Sequence, residues 1–222
     1  MTTPLRLVIF DVDGTLVDSQ ADIVGSMGDA FAALGLTAPD RVAVLGIVGL
    51  SLPQAMSVLA PEADNARLVD SYKQAYAARR AADGAGKSSP LYPGARAAIE
   101  RLHALPDVLL GVATGKSKRG LDLLLEAHDL APFFVTQQVA DFHPSKPHPS
   151  MLHTAMTEAG VETGQTVMIG DTTFDMQMAV AAGVDFVGVG WGYHPPSALD
   201  AAHTVLTEFG ELDAALGEIW KE

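Results

Sequence analysis

The chain has 222 residues, of which 48% are hydrophobic and 18% are charged, and its formal net charge is −13 at pH 7. This length and apolar content suit one large domain, or one domain with a modest insertion, and argue against long disordered segments. The absence of cysteine excludes disulfides and metal sites built on sulfur. So acidic a surface repels nucleic acid and anionic lipid, and no run of Lys and Arg overrides it. We therefore expect neither a nucleic-acid partner nor a membrane partner.

The N-terminal residues lack the basic and then apolar pattern of a secretory signal. No apolar run reaches the roughly 18 residues that a membrane-spanning helix needs. These two observations predict a cytoplasmic protein. The sequence leaves the oligomeric state open.

Short apolar runs alternate with helical patterns along most of the chain. The runs, which we predict to be buried strands, are Leu5–Phe10, Val108–Ala113, Phe133–Val135, Val167–Ile169 and Phe186–Val189. This alternation predicts an α/β fold, a doubly wound parallel sheet with helices on both faces. Such sheets bind ligands beyond the carboxyl ends of their strands, so residues that carry chemistry should directly follow the apolar runs.

The interval between the first two predicted strands contains helical periodicity and no convincing strand. We predict one helix that Gly35 ends, helices over Leu52–Leu59 and Glu62–Ala82, and a flexible return at Asp83–Ser89. An all-helical insertion at this point predicts a cap domain at residues 18–89, with the catalytic core at residues 1–17 and 90–222. The stretch Gly46–Leu52 has the glycines of a mobile loop that could enter the site when the cap closes.

Four aspartates lie just after predicted strands, where ligand-binding residues are expected. Asp11 and Asp13 follow the first predicted strand, and Asp171 and Asp175 follow the fourth. The first pair, at i and i+2, lies on one side of an extended chain, and the second, at i and i+4, lies on one face of a helix. Two ionised carboxylates about 4 Å apart repel by roughly 1 to 4 kcal/mol. Such a cluster needs a cation, and an all-oxygen ligand set favours Mg²⁺.

Thr114, Gly115 and Lys116 follow the second predicted strand and lead into a helical pattern. A hydroxyl group, free backbone amides and the positive end of a helix dipole together predict an anion cradle. Lys146, in the sequence SKPHP before the next helix, adds a positive charge. Magnesium characteristically bridges carboxylates and phosphate, so these residues predict a phosphoryl-binding site.

Beside a metal-bound phosphoryl group, an ionised Asp11 can act as a nucleophile. Asp13 is placed to protonate the leaving oxygen and then to deprotonate the attacking water. The formal charges support this assembly. Asp11, Asp171 and Asp175 bring −3 and a phosphate monoester brings about −2, while Mg²⁺ and Lys146 return +3 and the cradle amides offset part of the rest.

The motifs DVDGT, TGK, KPHP and GDTTFD, in this order between residues 11 and 175, resemble those of the haloacid dehalogenase superfamily. The helical insertion resembles the cap of the first subclass of that superfamily. The stretches DGTLVDS, YPG, KPHP and GWGYH are most similar to phosphoglycolate phosphatases and their relatives. The resemblance therefore implies a Rossmann-like core with an inserted helical cap.

The resemblance also implies roles for the aspartates. Asp11 would become an aspartyl-phosphate, and Asp13 would be the general acid and base. Mg²⁺ would be held by Asp11, Asp171 and the backbone carbonyl of Asp13, with Asp175 acting through a bound water. Dehalogenases of the superfamily have no second Asp at the position of Asp13, so this residue favours a phosphatase.

Thr114 and Lys146 would bind the phosphoryl group, with Gly115 and Lys116 as further substrate-binding residues. Phosphoglycolate phosphatases usually have Asn where Gly115 stands, so a side-chain contact to the substrate is missing here. Taken together, the motifs predict a Mg²⁺-dependent phosphatase of a small phosphorylated metabolite, phosphoglycolate or a related phosphomonoester, that acts through an aspartyl-phosphate.

Two alternatives stay open. A phosphomutase on the same scaffold would return the phosphoryl group to a sugar phosphate instead of to water. A phospho-receiver signalling domain also combines an acid pair, a phosphorylated Asp, Thr and Lys on a parallel sheet. Its acid pair and its phosphorylated Asp lie on different strands, however, and it has no helical cap.

Several other residues have simpler structural interpretations. Asp18 and Ser19 are predicted to cap the first helix of the insertion. Trp191 and Tyr193 fit core packing at least as well as a place beside the pocket. The cations of the insertion are each predicted to lie on a solvated face, and they are Arg41, Lys73, Arg79, Arg80 and Lys87.

Overall fold

The structure is a computed structural model that describes residues 4–83 and 89–221. Its strands are β1 (Arg6–Phe10), β2 (Val108–Thr114), β3 (Phe134–Val139), β4 (Thr166–Gly170), β5 (Asp185–Val189) and β6 (Thr204–Leu206). They form one parallel six-stranded sheet in the order β3-β2-β1-β4-β5-β6. The predicted doubly wound parallel sheet is therefore confirmed.

From β2 to β5 the α-helices alternate with the strands. In chain order they are α1 (Gln20–Ala33), α2 (Arg41–Leu45), α3 (Leu52–Leu59), α4 (Asn65–Asp83), α5 (Ala95–His103), α6 (Lys118–Ala127), α7 (Ser150–Ala159), α8 (Thr173–Ala182) and α9 (Leu212–Trp220). Helices α5, α6 and α9 pack on one face of the sheet, and α7 and α8 pack on the other. None of the helices within the described ranges is long and apolar enough to cross a bilayer.

Strand β1 shows why its sequence is continuously apolar. Val8 and Phe10 belong to the hydrophobic cluster on one face of the sheet, and Leu7 and Ile9 belong to the cluster on the other face. Successive side chains of a strand point to opposite faces, and both faces of this sheet are covered by helices. All four side chains are fully buried as a result.

Helices α1 to α4 lie between β1 and β2 and have a hydrophobic cluster of their own, which includes Met27, Phe31, Met56 and Leu68. A separate core supports the predicted cap domain, and the boundaries at residues 18 and 89 stay a prediction. Helix α1 ends just before Gly35, whose φ of +68° is favourable for glycine, as predicted.

The structure differs from the predicted elements at several positions. Strand β3 is longer than the predicted Phe133–Val135, and helix α4 begins at Asn65 instead of Glu62. The short elements α2 and β6 were not predicted. The predicted flexible return at 83–89 falls mostly on residues 84–88, which lie outside the described residues, as does Lys87.

Candidate active site

The predicted site residues converge at the carboxyl edge of the sheet. Asp11 directly follows β1, Thr114 ends β2 and Asp171 directly follows β4. These three strands are neighbours, with β1 between β2 and β4. Lys146 reaches the same edge from the loop between β3 and α7. The sheet order thus brings together residues that are up to 160 positions apart along the chain (171 − 11).

Three buried carboxylates form the centre of the site. Asp11, Asp171 and Asp175 each offer an oxygen within 4.8 Å of the others, and all three are at most 1% exposed. Lys146 Nζ lies 2.6 Å from Asp11 Oδ1 and 2.6 Å from Asp175 Oδ1. The Lys146 side chain has no exposed surface, so its charge acts only on this cluster.

The cluster shifts the protonation of its members. Burial, and then the carboxylate of Asp175, raise the pKa of Asp11 to about 7, although Lys146 opposes the shift. Burial and the charges of Asp11 and Asp175 likewise hold the pKa of Asp171 well above its usual value. For Lys146, burial favours the neutral form, but the two carboxylates outweigh burial and raise its pKa. Lys146 is therefore positively charged, but its single charge does not balance the three carboxylates.

The residues of this cluster fit a divalent cation. Three carboxylates contribute −3 and Lys146 contributes +1, so the ionised cluster carries −2. Asp11 Oδ2 is buried and accepts no hydrogen bond from the described residues. A buried carboxylate oxygen without a partner is costly, and a hard cation would supply that partner. The all-oxygen donor set suits Mg²⁺ better than a soft metal.

Asp171 is held in place by the protein on both of its oxygens. Thr15 Oγ1 donates to Asp171 Oδ1 at 2.9 Å, and the Tyr193 backbone N–H donates to Asp171 Oδ2 at 2.8 Å. Gly14, which has a φ of +88°, passes so close that a Cβ atom there would overlap this carboxylate. The glycine of the DVDGT motif thus turns the chain and makes room for Asp171.

Asp175 lies in the first turn of α8, where it also takes part in the helix cap. Its Oδ2 accepts hydrogen bonds from the backbone N–H of Thr172 at 3.1 Å and from Thr172 Oγ1 at 2.6 Å. Thr172 is the N-cap residue of α8, and the two residues form a capping box. With Oδ1 paired to Lys146 and Oδ2 bonded to Thr172, Asp175 has few free acceptor positions.

Asp13 stands apart from the three-acid cluster and has different partners. Lys116 Nζ lies 2.8 Å from Asp13 Oδ1, and Ser19 Oγ donates to the same oxygen. Tyr193 Oη lies 3.0 Å from Ser19 Oγ and accepts from the Ser19 backbone N–H at 3.1 Å. Burial, and then the charge of Asp13, raise the pKa of Tyr193, so its hydroxyl stays protonated and can donate to Ser19.

These contacts correct two sequence interpretations. Ser19 is the N-cap residue of α1 but makes no side-chain cap bond, because its hydroxyl is directed to Asp13. The cap contact comes from Asp18, whose Oδ1 accepts from the Gln20 N–H at 3.2 Å. Tyr193 lies beside the active site as well as packing against hydrophobic residues of the insertion. The sequence pattern gave no signal for the contact of Ser19 with Asp13, because Ser at a helix start is common, whereas a place beside the pocket was one of the two interpretations open for Tyr193.

The stretch Thr114–Lys116 lies at the end of β2, as predicted, but its amides do not lie at the N-terminus of a helix. Helix α6 begins at Lys118 and is capped by Ser117, so the amides of Gly115 and Lys116 precede the helix. Thr114 is 1% exposed, and its hydroxyl accepts from the Lys116 N–H at 3.3 Å. The predicted contribution of a helix N-terminus at these two amides is therefore wrong.

The stretch Gly46–Leu52, predicted to be a mobile loop, lies against the core at this site. A Cβ atom at Gly115 would stand 2.6 Å from the carbonyl oxygen of Leu50 and 2.7 Å from that of Gly49. The Ser51 N–H donates to Ser145 Oγ at 2.8 Å, next to Lys146. The insertion thus contacts the core at Gly115 and Ser145, which are next to Thr114 and Lys146 in the chain.

One cation of the insertion departs from its prediction. Arg80, predicted to lie on a solvated face, is only 8% exposed. Arg79 beside it does face outward, with 39% of its side chain exposed, and pairs with Asp29 at 2.7 Å. Arg41 is exposed and donates to Gln20. Helix periodicity could not separate Arg79 from Arg80 because the apolar residues of α4 do not form one clear face.

Comparison with known proteins agrees with this geometry. Residues 8–189 match the profile of the haloacid dehalogenase-like hydrolase family. The "Probable phosphatase IndB" of Dickeya dadantii is 36% identical to this chain, over 97% of the chain and 95% of the relative. The phosphoglycolate phosphatase of Photobacterium profundum is 31% identical, over 94% of each chain.

Solved structures share the fold. A haloacid dehalogenase-like hydrolase from Streptococcus pneumoniae superposes with a TM-score of 0.83 at 24% identity, covering 96% of this chain and 98% of that chain. CbbY from Rhodobacter sphaeroides, solved in complex with phosphate, has a TM-score of 0.80 at 21% identity, covering 96% of this chain and 99% of that chain. The family match and the curated relatives, which are named as phosphatases, together establish that the chain belongs to the haloacid dehalogenase-like hydrolases and is a phosphatase.

Proposed function

We propose that the protein is a Mg²⁺-dependent phosphatase that hydrolyses a small phosphomonoester, phosphoglycolate or a related metabolite, through an aspartyl-phosphate on Asp11. The observation that carries this proposal is the buried group of three carboxylates around Lys146, with Asp11 Oδ2 left without a partner among the described residues. The names of the curated relatives support the reaction and, in part, the substrate.

The two aspartates of the first motif have different environments, which suit different roles. Asp11 lies in the buried cluster, where one of its carboxylate oxygens would bind the metal ion and the other would attack phosphorus once the negative charge is balanced. Asp13 is held by Lys116 and Ser19, outside that cluster, where it can move a proton between the leaving oxygen, water and its own carboxylate. Lys116 and Ser19 fix the direction of that carboxylate and do not react themselves.

Mg²⁺ would be held by the carboxylates of Asp11 and Asp171 and by the backbone carbonyl of Asp13. Asp175, whose oxygens are already bonded to Lys146 and Thr172, would contribute charge and bind through water. When bound, the ion neutralises the carboxylates and the phosphoryl oxygens. Lys146 and the Thr114 hydroxyl, both buried at the same edge of the sheet, would bind the phosphoryl group, together with the amides of Gly115 and Lys116.

The insertion would act as a cap that excludes water and admits only small leaving groups. Its separate hydrophobic core and its contact with the core at Gly115 support this role. The helices between β1 and β2 also argue against a receiver domain. A phosphomutase would share the same site and would differ in its product, so product analysis separates the two activities.

The experiment measures phosphate release from an aryl phosphate with Mg²⁺ and with a chelator. We expect turnover that the chelator abolishes and that Asp11→Asn reduces by at least about 1,000-fold, because the nucleophile is lost. Asp122→Asn, which removes an exposed carboxylate paired to Lys118, should leave turnover unchanged. Full activity of Asp11→Asn would contradict the proposal. Isomerised sugar phosphate without free phosphate would favour the mutase.

A further inference from the structure

Lys146 lies in a turn between β3 and α7 that is rich in proline. From His143 to Ser150 the chain reads HPSKPHPS, and each of its three prolines restricts the backbone. Within the turn the His148 N–H donates to the carbonyl oxygen of Ser145 at 3.1 Å, and the Ser150 N–H donates to His148 Nδ1 at 3.2 Å. The place of this compact turn on the core therefore decides where the Lys146 ammonium group lies.

Two side chains join the ends of the turn. His143 Nδ1 lies 2.8 Å from Ser150 Oγ, so a hydrogen bond crosses the base of the turn. Lys146 is three residues after His143 and four residues before Ser150, at the middle of the closed segment. Burial lowers the pKa of His143, although the charge of Glu158 opposes the shift, so the ring is neutral at neutral pH. A neutral ring has one nitrogen that donates and one that accepts, and the contacts of Nε2 decide which is which.

The Nε2 atom of His143 fixes the turn to β3 and α7. It lies 2.8 Å from Oε1 of Gln138, which belongs to β3. Gln138 Nε2 donates to Thr136 Oγ1 at 2.7 Å and to Oε2 of Glu158, in α7, at 2.8 Å. An ionised carboxylate only accepts hydrogen bonds, so Glu158 sets the orientation of the Gln138 amide and its oxygen faces His143. His143 Nε2 therefore carries the hydrogen, and Nδ1 accepts from the Ser150 hydroxyl.

We propose that His143 is a positioning residue that holds Lys146 in the active site by fixing the base of its turn to the sheet. This inference rests on the proposed function, because Lys146 is the proposed ligand of the phosphoryl group. Lys146 Nζ lies 2.6 Å from carboxylate oxygens of both Asp11 and Asp175. A lysine side chain has a flexible four-carbon stem, so two such contacts persist only where the backbone that carries it is fixed. His143 acts through the turn and not on the reacting atoms.

The test measures acetylation of lysines by acetic anhydride in the metal-free protein, residue by residue, with peptide mass spectrometry. His143→Leu should raise the labelling of Lys146 by about 30-fold, the effect of losing two hydrogen bonds of ordinary strength on a local opening. Lys116, whose side chain is 9% exposed, lies in another loop and should keep its labelling. The matched control His153→Leu changes an exposed histidine of α7 and should alter neither lysine.

Turnover of an aryl phosphate links the turn to the reaction. His143→Leu should lower kcat/KM by about 10- to 100-fold, because a displacement of about 1 Å can cost about 100-fold in rate. Ser150→Ala removes only the bond across the base, so it should raise the labelling of Lys146 by about five-fold. The double variant should match His143→Leu alone, since that bond is already lost there. Should His143→Leu fail to fold, the rise in Ser150→Ala carries the test.

Three results would overturn the inference. Labelling of Lys146 that does not rise would show that the turn keeps its place without His143. Equal rises at Lys146 and Lys116 would show that His143 stabilises the whole fold. Unchanged kcat/KM in a variant with exposed Lys146 would separate the turn from the reaction. Labelling needs no turnover, so a wild type that is inactive on an aryl phosphate rejects the proposed function instead, whatever the labelling shows.

Discussion

The carbonyl oxygen of Leu50 stands 2.6 Å from the position that a Cβ atom would take at Gly115. Leu50 belongs to the insertion and Gly115 follows β2, so this approach brings the insertion against the core beside Thr114. The opposing atom belongs to the backbone and cannot rotate away as a side chain could. The absence of a side chain at residue 115 thus allows the insertion to approach the core this closely.

Gly115→Ala should therefore lower activity by holding the cap away from the core. A displacement of about 1 Å can cost about 100-fold in rate, so we expect kcat/KM to fall by about 10- to 100-fold. Steady-state kinetics on an aryl phosphate and on 2-phosphoglycolate measure the effect. The matched control is Gly28→Ala in α1, where a Cβ atom meets nothing within 4 Å. An equal loss in both variants would contradict the closing role of Gly115.

Lys146→Met should inactivate the enzyme and also destabilise it. The substitution removes the cation that lies 2.6 Å from both Asp11 and Asp175 and leaves buried carboxylates unpaired, at a cost of about 3–5 kcal/mol. Urea unfolding without metal measures this cost. In Lys118→Met the lost partner is exposed Asp122, so unfolding should change by less than about 0.5 kcal/mol. Wild-type stability of Lys146→Met would mean that the lysine does not balance the cluster.

Ser19→Ala should lower kcat more than it raises KM. The hydroxyl of Ser19 donates to Asp13 and is itself bonded to Tyr193, so its loss frees Asp13, the proposed acid and base, without removing a proposed phosphate contact. We expect kcat to fall by about 10-fold, which is less than the roughly 100- to 10,000-fold that a general acid–base group itself contributes, because Asp13 is still present. Tyr193→Phe should act through the same series of hydrogen bonds, from Tyr193 to Ser19 to Asp13. The double variant should therefore lose little more kcat than either single variant. Additive losses would show that the two residues act independently.

The metal-free protein should lose stability as the pH rises from about 4 to about 7. Burial raises the pKa of Asp11 from 3.8 to about 7, so the folded state binds more protons than the unfolded chain in this window. The free energy of unfolding therefore falls as pH rises through it. The proposed Mg²⁺ site requires ionised carboxylates, so the increase in Tm upon adding Mg²⁺ should grow across the same window. Thermal unfolding at several pH values measures both trends. A Mg²⁺-induced increase in Tm that becomes smaller as the pH rises would contradict them.

Much of the fold could be predicted because β1, β2, β4 and β5 are short apolar runs buried on both faces of the sheet. The end of β3 was missed because it contains Thr136 and Gln138, polar residues that bond to each other and to Glu158 instead of being apolar. Elements of three to five residues, such as β6 and α2, are too short to show a period.

The site could be predicted only where chain position fixes geometry. Asp11, Thr114 and Asp171 follow neighbouring parallel strands, so strand order alone brings them together. The contacts between the insertion and the core depend on how two separate hydrophobic clusters meet. The periodicity of the sequence carries no information about that arrangement. For this reason the burial of Arg80 and the approach of Leu50 to Gly115 appear only in the structure.

The most direct measurement is a crystal structure of the protein with Mg²⁺ and beryllium trifluoride, which mimics a phosphoryl group bonded to a carboxylate. We predict beryllium bonded to a carboxylate oxygen of Asp11, Mg²⁺ held by Asp11 and Asp171, and Lys146 in contact with the fluorides. Beryllium on another residue, or a metal ion bound away from these aspartates, would contradict the proposed chemistry.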